Sequence, residues 1–356
     1  MQPIRLVVVF GGQSAEHAVS CTTASHVLAA VDPNRYVIEA IGITRTGEIV
    51  RAEAAMLALA DGAHTLPPAL EAVGPRTSLA AAVTPANELP VVVLPLLHGP
   101  LGEDGTIQGM LELANVPYVG AGVLGSAVTM DKAMAKTLAA AAGIPQTRWV
   151  SLFEHEDTSD ETLAEISDDL GFPIFVKPAN MGSSIGVSRA TNADELRAGV
   201  DAAFAYDDVL VLEEGVDARE VELAVLGNHE IRVSVPGEIK PAADFYDYDD
   251  KYHDGAAELL IPAPLDPETV EQLQALSAQA YRVLRCEGMA RADFLIEEGG
   301  RGPLLNELNT IPGFTPISMY PKMWEASGLS YSALIDELVR LAIERHERRA
   351  AKRPSF

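Results

Sequence analysis

Residues 4–12 read IRLVVVFGG, an apolar and largely β-branched run that ends in two glycines. A strand buried on both faces has this composition, and the glycines predict a tight loop directly after it. Similar runs stand at 36–43 and 91–97, and residues 15–30 are predicted to form a helix. Alternating strands and helices predict a parallel sheet with helices on both faces, so we expect an α/β fold whose first domain covers residues 1–120.

The rest of the chain predicts smaller and more varied elements. Gly143 and Pro145 end a predicted long helix at about 129–142, and residues 52–90 predict helix and loose loop. We predict strands at 147–152, 173–178, 185–190, 209–213, 219–226, 230–235, 290–297 and 303–308, and helices at 193–204, 267–285 and 330–349. Residues 241–258 are polar, aromatic and acidic, which is typical of a binding loop or lid.

The composition narrows the class of protein. A chain of 356 residues is expected to form two or three domains. Its formal net charge of −25 disfavours nucleic acid as a partner, because an acidic surface repels phosphate backbones. The two cysteines have no zinc-ligand or disulfide-framework spacing, and no apolar run has the length of a signal segment or a membrane span. We therefore expect a cytoplasmic protein without a membrane partner.

Two short polar motifs near the C-terminal end predict a metal site. Residues 291–293 read RAD, and residues 305–309 read LNELN. If both are strands, alternate side chains share a face, so Arg291 lies beside Asp293 and Glu307 beside Asn309. Carboxylate and amide oxygens suit Mg²⁺, which binds through a few carboxylates and substrate phosphates, and Arg291 could hold a phosphoryl oxygen. The alternative is that these are exposed polar side chains of two strands without a metal.

Two segments that contain glycine are candidates for a phosphate-binding loop. Residues 177–186 (KPANMGSSIG) follow an apolar strand, and their backbone N–H groups and serine hydroxyls could meet phosphate. A plain hairpin turn is the alternative. Residues 120–125 (GAGVLG) match the dinucleotide pattern GxGxxG, but no acidic residue follows at the spacing that such a site requires. We interpret the second segment as a tight strand-to-helix turn.

A glutamate and two histidines follow predicted parallel strands. His98 comes directly after the strand at 91–97, and Glu16 and His17 come just past the first strand and its glycines. The carboxyl ends of parallel strands meet at one edge of a sheet, where α/β proteins bind ligands. A lone histidine is more often structural, but the two segments support each other and predict a binding edge.

Together these segments resemble the D-alanine–D-alanine ligase family of the ATP-grasp superfamily. The resemblance rests on residues 11–17, 98–105, 130–132, 177–186, 245–253, 291–293 and 306–315, in this order. It implies an N-terminal Rossmann-like domain followed by a two-domain ATP-grasp fold, with a small central domain at 121–212 and a C-terminal domain at 213–356 that carries the lid 241–258.

The resemblance also implies a reaction and its participants. The carboxylate of one D-alanine would attack the γ-phosphate of ATP to give an acyl phosphate, and the amine of a second D-alanine would displace phosphate. The dipeptide would serve peptidoglycan synthesis. ATP and two Mg²⁺ ions, which Mn²⁺ could replace, are the implied cofactors. A homodimer is the implied assembly.

The resemblance assigns a role to each motif residue. The nucleotide would be held by Lys132, Lys177 and Ser184 at its phosphates, by Glu213 and its neighbours at adenine, and by Glu220 at the ribose. The two metal ions would be held by Asp293, Glu307 and Asn309. Glu16 would hold the ammonium group of the first D-alanine, linked to Ser183 and Tyr252, with His98 also facing substrate. Arg291 and the backbone near Gly313 would stabilise the oxyanion, and Ser318 and Lys251 would face the carboxylate of the second D-alanine.

Some positions depart from the pattern of the family. Ala18 stands where an acidic residue is common, and Glu214-Gly215 lacks the aromatic residue found near adenine in some members. Lys251-Tyr252 matches the members that form a dipeptide rather than those that make a D-alanyl-D-lactate ester. Two alternatives remain: another ATP-grasp ligase that joins a carboxylate to an amine, and a nucleotide-binding regulator without catalytic activity.

Overall fold

The computed structural model describes residues 2–84, 89–240, 258–297 and 299–352. Within these ranges the strands form three sheets, and helices pack against each of them. The predicted α/β class is confirmed. The predicted domain boundaries near residues 120 and 212 stay a prediction. The boundary near residue 212 falls inside the strand Val209–Glu214.

The first sheet is the parallel one that the opening sequence predicts. Its strands are β1 (Ile4–Gly11), β2 (Tyr36–Ile43), β3 (Ile49–Arg51) and β4 (Val91–Pro95), and its helices are α1 (His17–Ala30), α2 (Glu53–Asp61), α3 (Leu79–Val83) and α4 (Thr106–Leu113). The strand order is β3-β2-β1-β4, with β1 parallel to both neighbours and β3 antiparallel to β2. Because β1 is central and covered on both faces, its apolar side chains are buried.

The second sheet is small and antiparallel, with strand order β5-β8-β6-β7. Its strands are β5 (Trp149–Phe153), β6 (Ile174–Pro178), β7 (Ser188–Ala190) and β8 (Val209–Glu214), and the helices of this region are α5 (Val123–Met130), α6 (Lys132–Ala141), α7 (Asp160–Leu170) and α8 (Ala193–Ala203). The helix predicted at about 129–142 corresponds to α6, but it begins later than predicted, at Lys132. Asp131 leaves the helical conformation and accepts a hydrogen bond from the backbone N–H of Met134, so it ends α5 and caps α6.

The third sheet carries the RAD and NELN motifs. Its strands are β9 (Arg219–Gly227), β10 (Arg232–Val233), β11 (Gly237–Lys240), β12 (Glu258–Leu260), β13 (Gly288–Glu297) and β14 (Gly302–Asn309), and its helices are α9 (Pro267–Val283), α10 (Met319–Ala326) and α11 (Tyr331–Ala350). The strand order is β12-β11-β9-β13-β14, with β10 also paired to β9, and every pairing is antiparallel.

A shared core joins the first and third sheets. Leu6 of β1, Met289 of β13 and Leu338 of α11 belong to one cluster of buried side chains. Arg345 of α11 adds a polar contact, because its guanidinium donates to the carbonyl oxygen of Tyr118 at 2.8 Å. This packing holds the carboxyl edge of β1 and β4 against the loop that follows β14. Over the part of the chain that the structure describes, no helix combines the length and apolarity needed to cross a membrane.

Candidate active site

Three carboxylates stand in a row across the third sheet. Asp293 of β13 pairs directly with Glu222 of β9 on one side and with Glu307 of β14 on the other. Directly paired residues share a face, so the row points toward the same side of the sheet. The register then shifts between Asp293 and Phe294, which makes Asn306 the extra residue of a β-bulge. The bulge directs the Asn306 side chain toward the second sheet.

Arg291 lies beside this row and binds two of its members. Its guanidinium donates to both carboxylate oxygens of Asp293, at 2.7 and 2.6 Å, and its Nε lies 3.1 Å from Oε2 of Glu222. Burial by itself would lower the pKa of Arg291. The carboxylates of Asp293 and Glu222 more than offset this, so the pKa lies well above its ordinary value. Arg291 therefore stays charged and partly neutralises the row.

The chemistry of the row fits a hard divalent cation. Asn309 donates from Nδ2 to Oδ2 of Asp293 at 2.9 Å, so its amide group lies at the same point. Among the described residues, no group of three or more His, Cys, Asp or Glu side chains could hold a metal ion by itself. Mg²⁺ does not require one, because it takes several ligands from water and phosphate. Asp293, Glu307 and the amide oxygen of Asn309 could supply the protein share.

A cluster of two lysines and a glutamate is formed by the second sheet and helix α6, and it reaches β14 at Asn306. Lys177 of β6 reaches Oε1 of Glu213 on β8 at 3.1 Å and Oδ1 of Asn306 at 3.4 Å. Lys136 of α6 lies 3.2 Å from Oε2 of the same glutamate. Asn306 directly precedes Glu307, so this contact brings Lys177 of the second sheet close to the carboxylate row of the third. Sequence reasoning missed Lys136, although it stands one helical turn after Lys132 on the same face.

The loop after β6 has an unusual backbone conformation at two consecutive serines. Ser183 and Ser184 both have positive φ, at 50° and 58°. Residues other than glycine rarely adopt this region of backbone conformation. Lys132, the first residue of α6, donates from Nζ to the carbonyl oxygen of Met181 in this loop. Desolvation lowers the pKa of Lys132 and the charge of Glu307 raises it, with a lowered value as the result. Strained backbone of this kind is concentrated at functional sites.

A second group of candidate site residues lies at the carboxyl edge of the first sheet. Glu16, the N-cap residue directly before α1, is buried. Its Oε2 lies close to Gly99 and Gly182, and a Cβ on these glycines would be 3.5 and 3.3 Å from it. His98 is also buried, and burial lowers its pKa against the opposing charge of Glu16. The structure therefore brings Glu16, His98 and the serine loop together, as the sequence predicts for a binding edge.

Glu103 is buried near Glu16 and His98 and was not predicted from the sequence as a site residue. Its Oε2 accepts a hydrogen bond from the backbone N–H of Gly99 at 2.7 Å. Its Oε1 accepts one from Ile311 at 3.3 Å. Burial, and then the charge of Glu16, raise the pKa of Glu103 to about 8. Glu103 lies within the motif 98–105, which was the feature of the sequence that could have identified it.

The remaining predicted site residues fall into three groups. Gly313 and Ser318 lie close together after β14. A Cβ added to Gly313 would be 3.1 Å from Oγ of Ser318. Glu220 lies half-buried near the start of β9, on the same strand as Glu222. Lys251 and Tyr252 lie outside the described residues, as does most of the predicted lid 241–258.

The GxGxxG segment is a packing feature. Gly122 caps α5, and a Cβ on Gly125 would come within 2.6 Å of the carbonyl oxygen of Arg285. Gly120 lies against Gly288, where a Cβ on the latter would meet the Gly120 backbone at 3.1 Å. These glycines allow a close approach of backbone to backbone at a turn from the first sheet into α5, as we interpreted from the sequence.

Comparison with known proteins places this architecture in a family. Family models described as D-ala D-ala ligase N-terminus and D-ala D-ala ligase C-terminus match residues 5–121 and 138–340. A D-alanine--D-alanine ligase of Bacillus licheniformis is 46% identical over 99% of this chain and 99% of its own. The chain belongs to the D-alanine–D-alanine ligase family. The resemblance stated from the sequence motifs is thereby confirmed.

Solved structures of the family agree with the fold. The D-alanine-D-alanine ligase of Coxiella burnetii has a TM-score of 0.82 at 35% identity, over 99% of this chain and 97% of that one. The VanG D-Ala:D-Ser ligase of Enterococcus faecalis has a TM-score of 0.81, also at 35% identity, over 96% of this chain and 100% of that one. A Bacillus anthracis D-alanine--D-alanine ligase solved in complex with ATP has a TM-score of 0.73 at 27% identity, over 97% of this chain and 99% of that one. The ATP-grasp fold predicted for this chain is thereby confirmed.

Proposed function

We propose that this protein joins two D-alanine molecules to D-alanyl-D-alanine, with ATP converted to ADP and phosphate. Within this chain the proposal is carried by one contact, that of Lys177 with Asn306 at 3.4 Å. It brings a cation from the second sheet to the carboxylate strand of the third. A phosphoryl group held between the two would meet positive charge on one side and metal-binding oxygens on the other. Identity to ligases of the family over nearly the whole chain supports the same assignment.

The nucleotide site is assigned to the facing second and third sheets. Lys132, Lys177 and Ser184 would bind the phosphates, while Glu213 with its neighbours and Glu220 would meet adenine and ribose. Asp293, Glu307 and Asn309 would hold two Mg²⁺ ions, with Mn²⁺ as a substitute. Bound metal would neutralise charge on the transferred phosphoryl group. The lysines add positive charge at one point of an otherwise acidic protein, which is where an anionic nucleotide requires it.

The amino-acid site is assigned to the pocket around Glu16. A buried carboxylate next to a neutral histidine suits the ammonium group of the first D-alanine. Ser183 and Tyr252 would be linked to Glu16, and His98 would line the same pocket. Arg291 and the backbone at Gly313 would stabilise the oxyanion that forms when the second amine attacks the acyl phosphate. Ser318 and Lys251 would bind the carboxylate of the second D-alanine.

The reaction dictates the order of events at these groups. The carboxylate of the first D-alanine attacks the γ-phosphoryl group, the bond to the β-phosphate breaks, and ADP leaves. The amine of the second D-alanine then attacks the acyl carbon, and phosphate leaves. Because water would hydrolyse the acyl phosphate, the site must be closed during the reaction, and residues 241–258 are proposed as its lid.

The cellular setting follows from the product. We infer that D-alanyl-D-alanine enters peptidoglycan precursor synthesis, so that the protein acts in the cytoplasm in cell wall biogenesis and the maintenance of cell shape. A homodimer is the proposed assembly, and a nucleic-acid partner is not expected at a net charge of −25.

The identity of the second substrate must be distinguished from that of a related activity, the ligation of D-alanine to D-serine. The D-Ala:D-Ser ligase matches this structure as closely as the D-alanine-D-alanine ligase does, at the same identity. Phosphate release should therefore be measured with D-alanine alone, and then with D-serine or D-lactate added as the second substrate. We expect D-alanine alone to support full turnover. Turnover that requires a different second substrate would overturn the assignment.

Glu16→Gln tests the amino-acid site separately. Because the variant removes the charge proposed to hold the first ammonium group, we expect the KM for the first D-alanine to rise far more than the KM for ATP. A larger effect on ATP would remove Glu16 from this role.

A further inference from the structure

Lys136 is a buried cation that none of the proposed substrate contacts uses. It lies on α6, one turn after Lys132, and its side chain is 3% exposed. Its Nζ lies 3.2 Å from Oε2 of Glu213 and 3.3 Å from Oγ1 of Thr147. Burial lowers its pKa and the charge of Glu213 acts in the opposite direction. A lysine is rarely buried to this degree unless it is paired.

Glu213 is shared between Lys136 and Lys177. One carboxylate oxygen faces each lysine, with Oε1 at 3.1 Å from Nζ of Lys177. Thr147 donates its hydroxyl to Oε2 at 2.9 Å. Burial would raise the pKa of Glu213, but the two lysines and the hydrogen bonds outweigh it and hold the value at about 2. The carboxylate is therefore ionised and fixed from two sides.

The charge balance of this cluster depends on Lys136. Glu213 and Lys177 alone would form a neutral pair, in which the glutamate competes with phosphate for the lysine. With Lys136 added, Glu213 has a second partner, so its carboxylate is shared between two lysines. Lys177 is the more exposed of the two lysines, at 17%, and its Nζ reaches Asn306 on β14.

We propose that Lys136 is a positioning residue for the nucleotide. By holding Glu213 and balancing its charge, it fixes the Nζ of Lys177 at the phosphate site and leaves that cation available to an anion. Lys136 itself does not contact the nucleotide. This inference rests on the proposed function only in that Lys177 binds a nucleotide phosphate.

The test compares Lys136→Met with Lys136→Arg. For each, the Kd of ADP is measured directly by calorimetry, and the KM values of ATP and D-alanine are measured by phosphate release. We expect Lys136→Met to weaken ADP binding and raise the KM of ATP by about 10-fold or more, as the loss of a charged hydrogen bond implies. The KM of D-alanine should stay within about 2-fold, and Lys136→Arg should recover most of the ADP affinity.

Two further proteins make the result decisive. Lys352→Met makes the same chemical change at an exposed position near the C-terminus and should leave ADP affinity unchanged. Thr147→Val keeps both lysines and removes only the hydroxyl, so it should weaken ADP binding less than Lys136→Met does. It also serves as the test if Lys136→Met does not fold.

The inference is overturned if Lys136→Met folds and binds ADP with the same Kd as the parent. If Lys136→Met does not fold, the inference is overturned when Thr147→Val binds ADP with the same Kd as the parent. ADP binding is measured without D-alanine, so a failure of the ligase assignment would appear in the parent's phosphate release and would not be confused with a failure of Lys136.

Discussion

The ring nitrogen Nδ1 of His98 lies 3.1 Å from the carbonyl oxygen of Ile311. Because this oxygen can only accept, Nδ1 carries the proton and Nε2 has a free lone pair. The N–H of the same Ile311 donates to Glu103, so a single residue after β14 is held twice by the loop after β4. The contact joins the edge of the first sheet to the strand that carries Glu307 and Asn309.

The buried Glu103 should make stability depend on pH. Its pKa is about 8 in the folded protein against an ordinary value of 4.5, so the native state binds the proton more tightly. The stabilisation is complete below about pH 4.5 and is lost as pH rises through about 8, with a slope of at most about 1.4 kcal/mol per pH unit. Urea unfolding of the parent and of Glu103→Gln at pH 5, 6.5 and 8 measures it.

Asp104→Asn is the matched control for this experiment, because Asp104 accepts hydrogen bonds from the backbone N–H groups of nearby residues in the sequence, Leu101 and Thr106. The pH slope should change more in Glu103→Gln than in Asp104→Asn. Parallel stability curves for the parent and Glu103→Gln would show that the carboxyl group of Glu103 does not retain its proton.

Glu213→Gln should be strongly destabilising at pH 7. It would leave Lys136 buried without its counter-charge, and breaking a buried pair in this way costs about 3–5 kcal/mol. Since the pKa of Glu213 is lowered to about 2, the stabilisation is present above the ordinary value of 4.5 and is lost as pH falls toward 2. The gap between parent and variant in urea should narrow over that interval. Glu271→Gln, at an exposed position of α9, is the comparison, and an equal effect of both changes would contradict the prediction.

Asp293→Asn should reduce phosphate release by about 100-fold or more, because it removes a carboxylate that we propose as a metal ligand and the bidentate partner of Arg291. Removal of divalent cations with a chelator should abolish turnover in the parent, and Mg²⁺ or Mn²⁺ should restore it. Mg²⁺ titration in the presence of ADP gives a readout independent of turnover. Asp266→Asn alters the N-cap of α9 and is the control; it should bind Mg²⁺ in the presence of ADP as the parent does. An unchanged Mg²⁺ affinity in Asp293→Asn would refute the metal assignment.

Phe294→Ala should destabilise the protein by about 3–5 kcal/mol, because Phe294 is fully buried directly after Asp293 and its loss leaves a cavity beneath the carboxylate row. Chemical denaturation measures the difference. Leu57→Ala, at a position 70% exposed, provides the comparison and should change stability by less than about 1 kcal/mol. Similar values for the two variants would place the core of the third sheet elsewhere.

Several features could not be predicted because they depend on partners distant in sequence. Nothing near Asn306 signals a bulge; the register there is set by how β14 pairs with β13. The resemblance assigned Glu213 to adenine, and only the packing of α6 against β8 reveals that Lys136 and Lys177 share its carboxylate. The break between α5 and α6 was missed for a different reason, since Asp131 is a local cap within a run that otherwise has good helix propensity.

The sequence by itself determined the α/β class, most of the strands and helices, and the family. Periodicity is a local property, so the buried run at 4–10 and the alternation of Arg291 with Asp293 could be read directly. The tertiary structure decided which charges meet: the row of Glu222, Asp293 and Glu307, the shared carboxylate of Glu213, and the double hold on Ile311. The physical reason is that burial and pairing energies arise between elements far apart in the chain, and a sequence pattern records each element but not its neighbour.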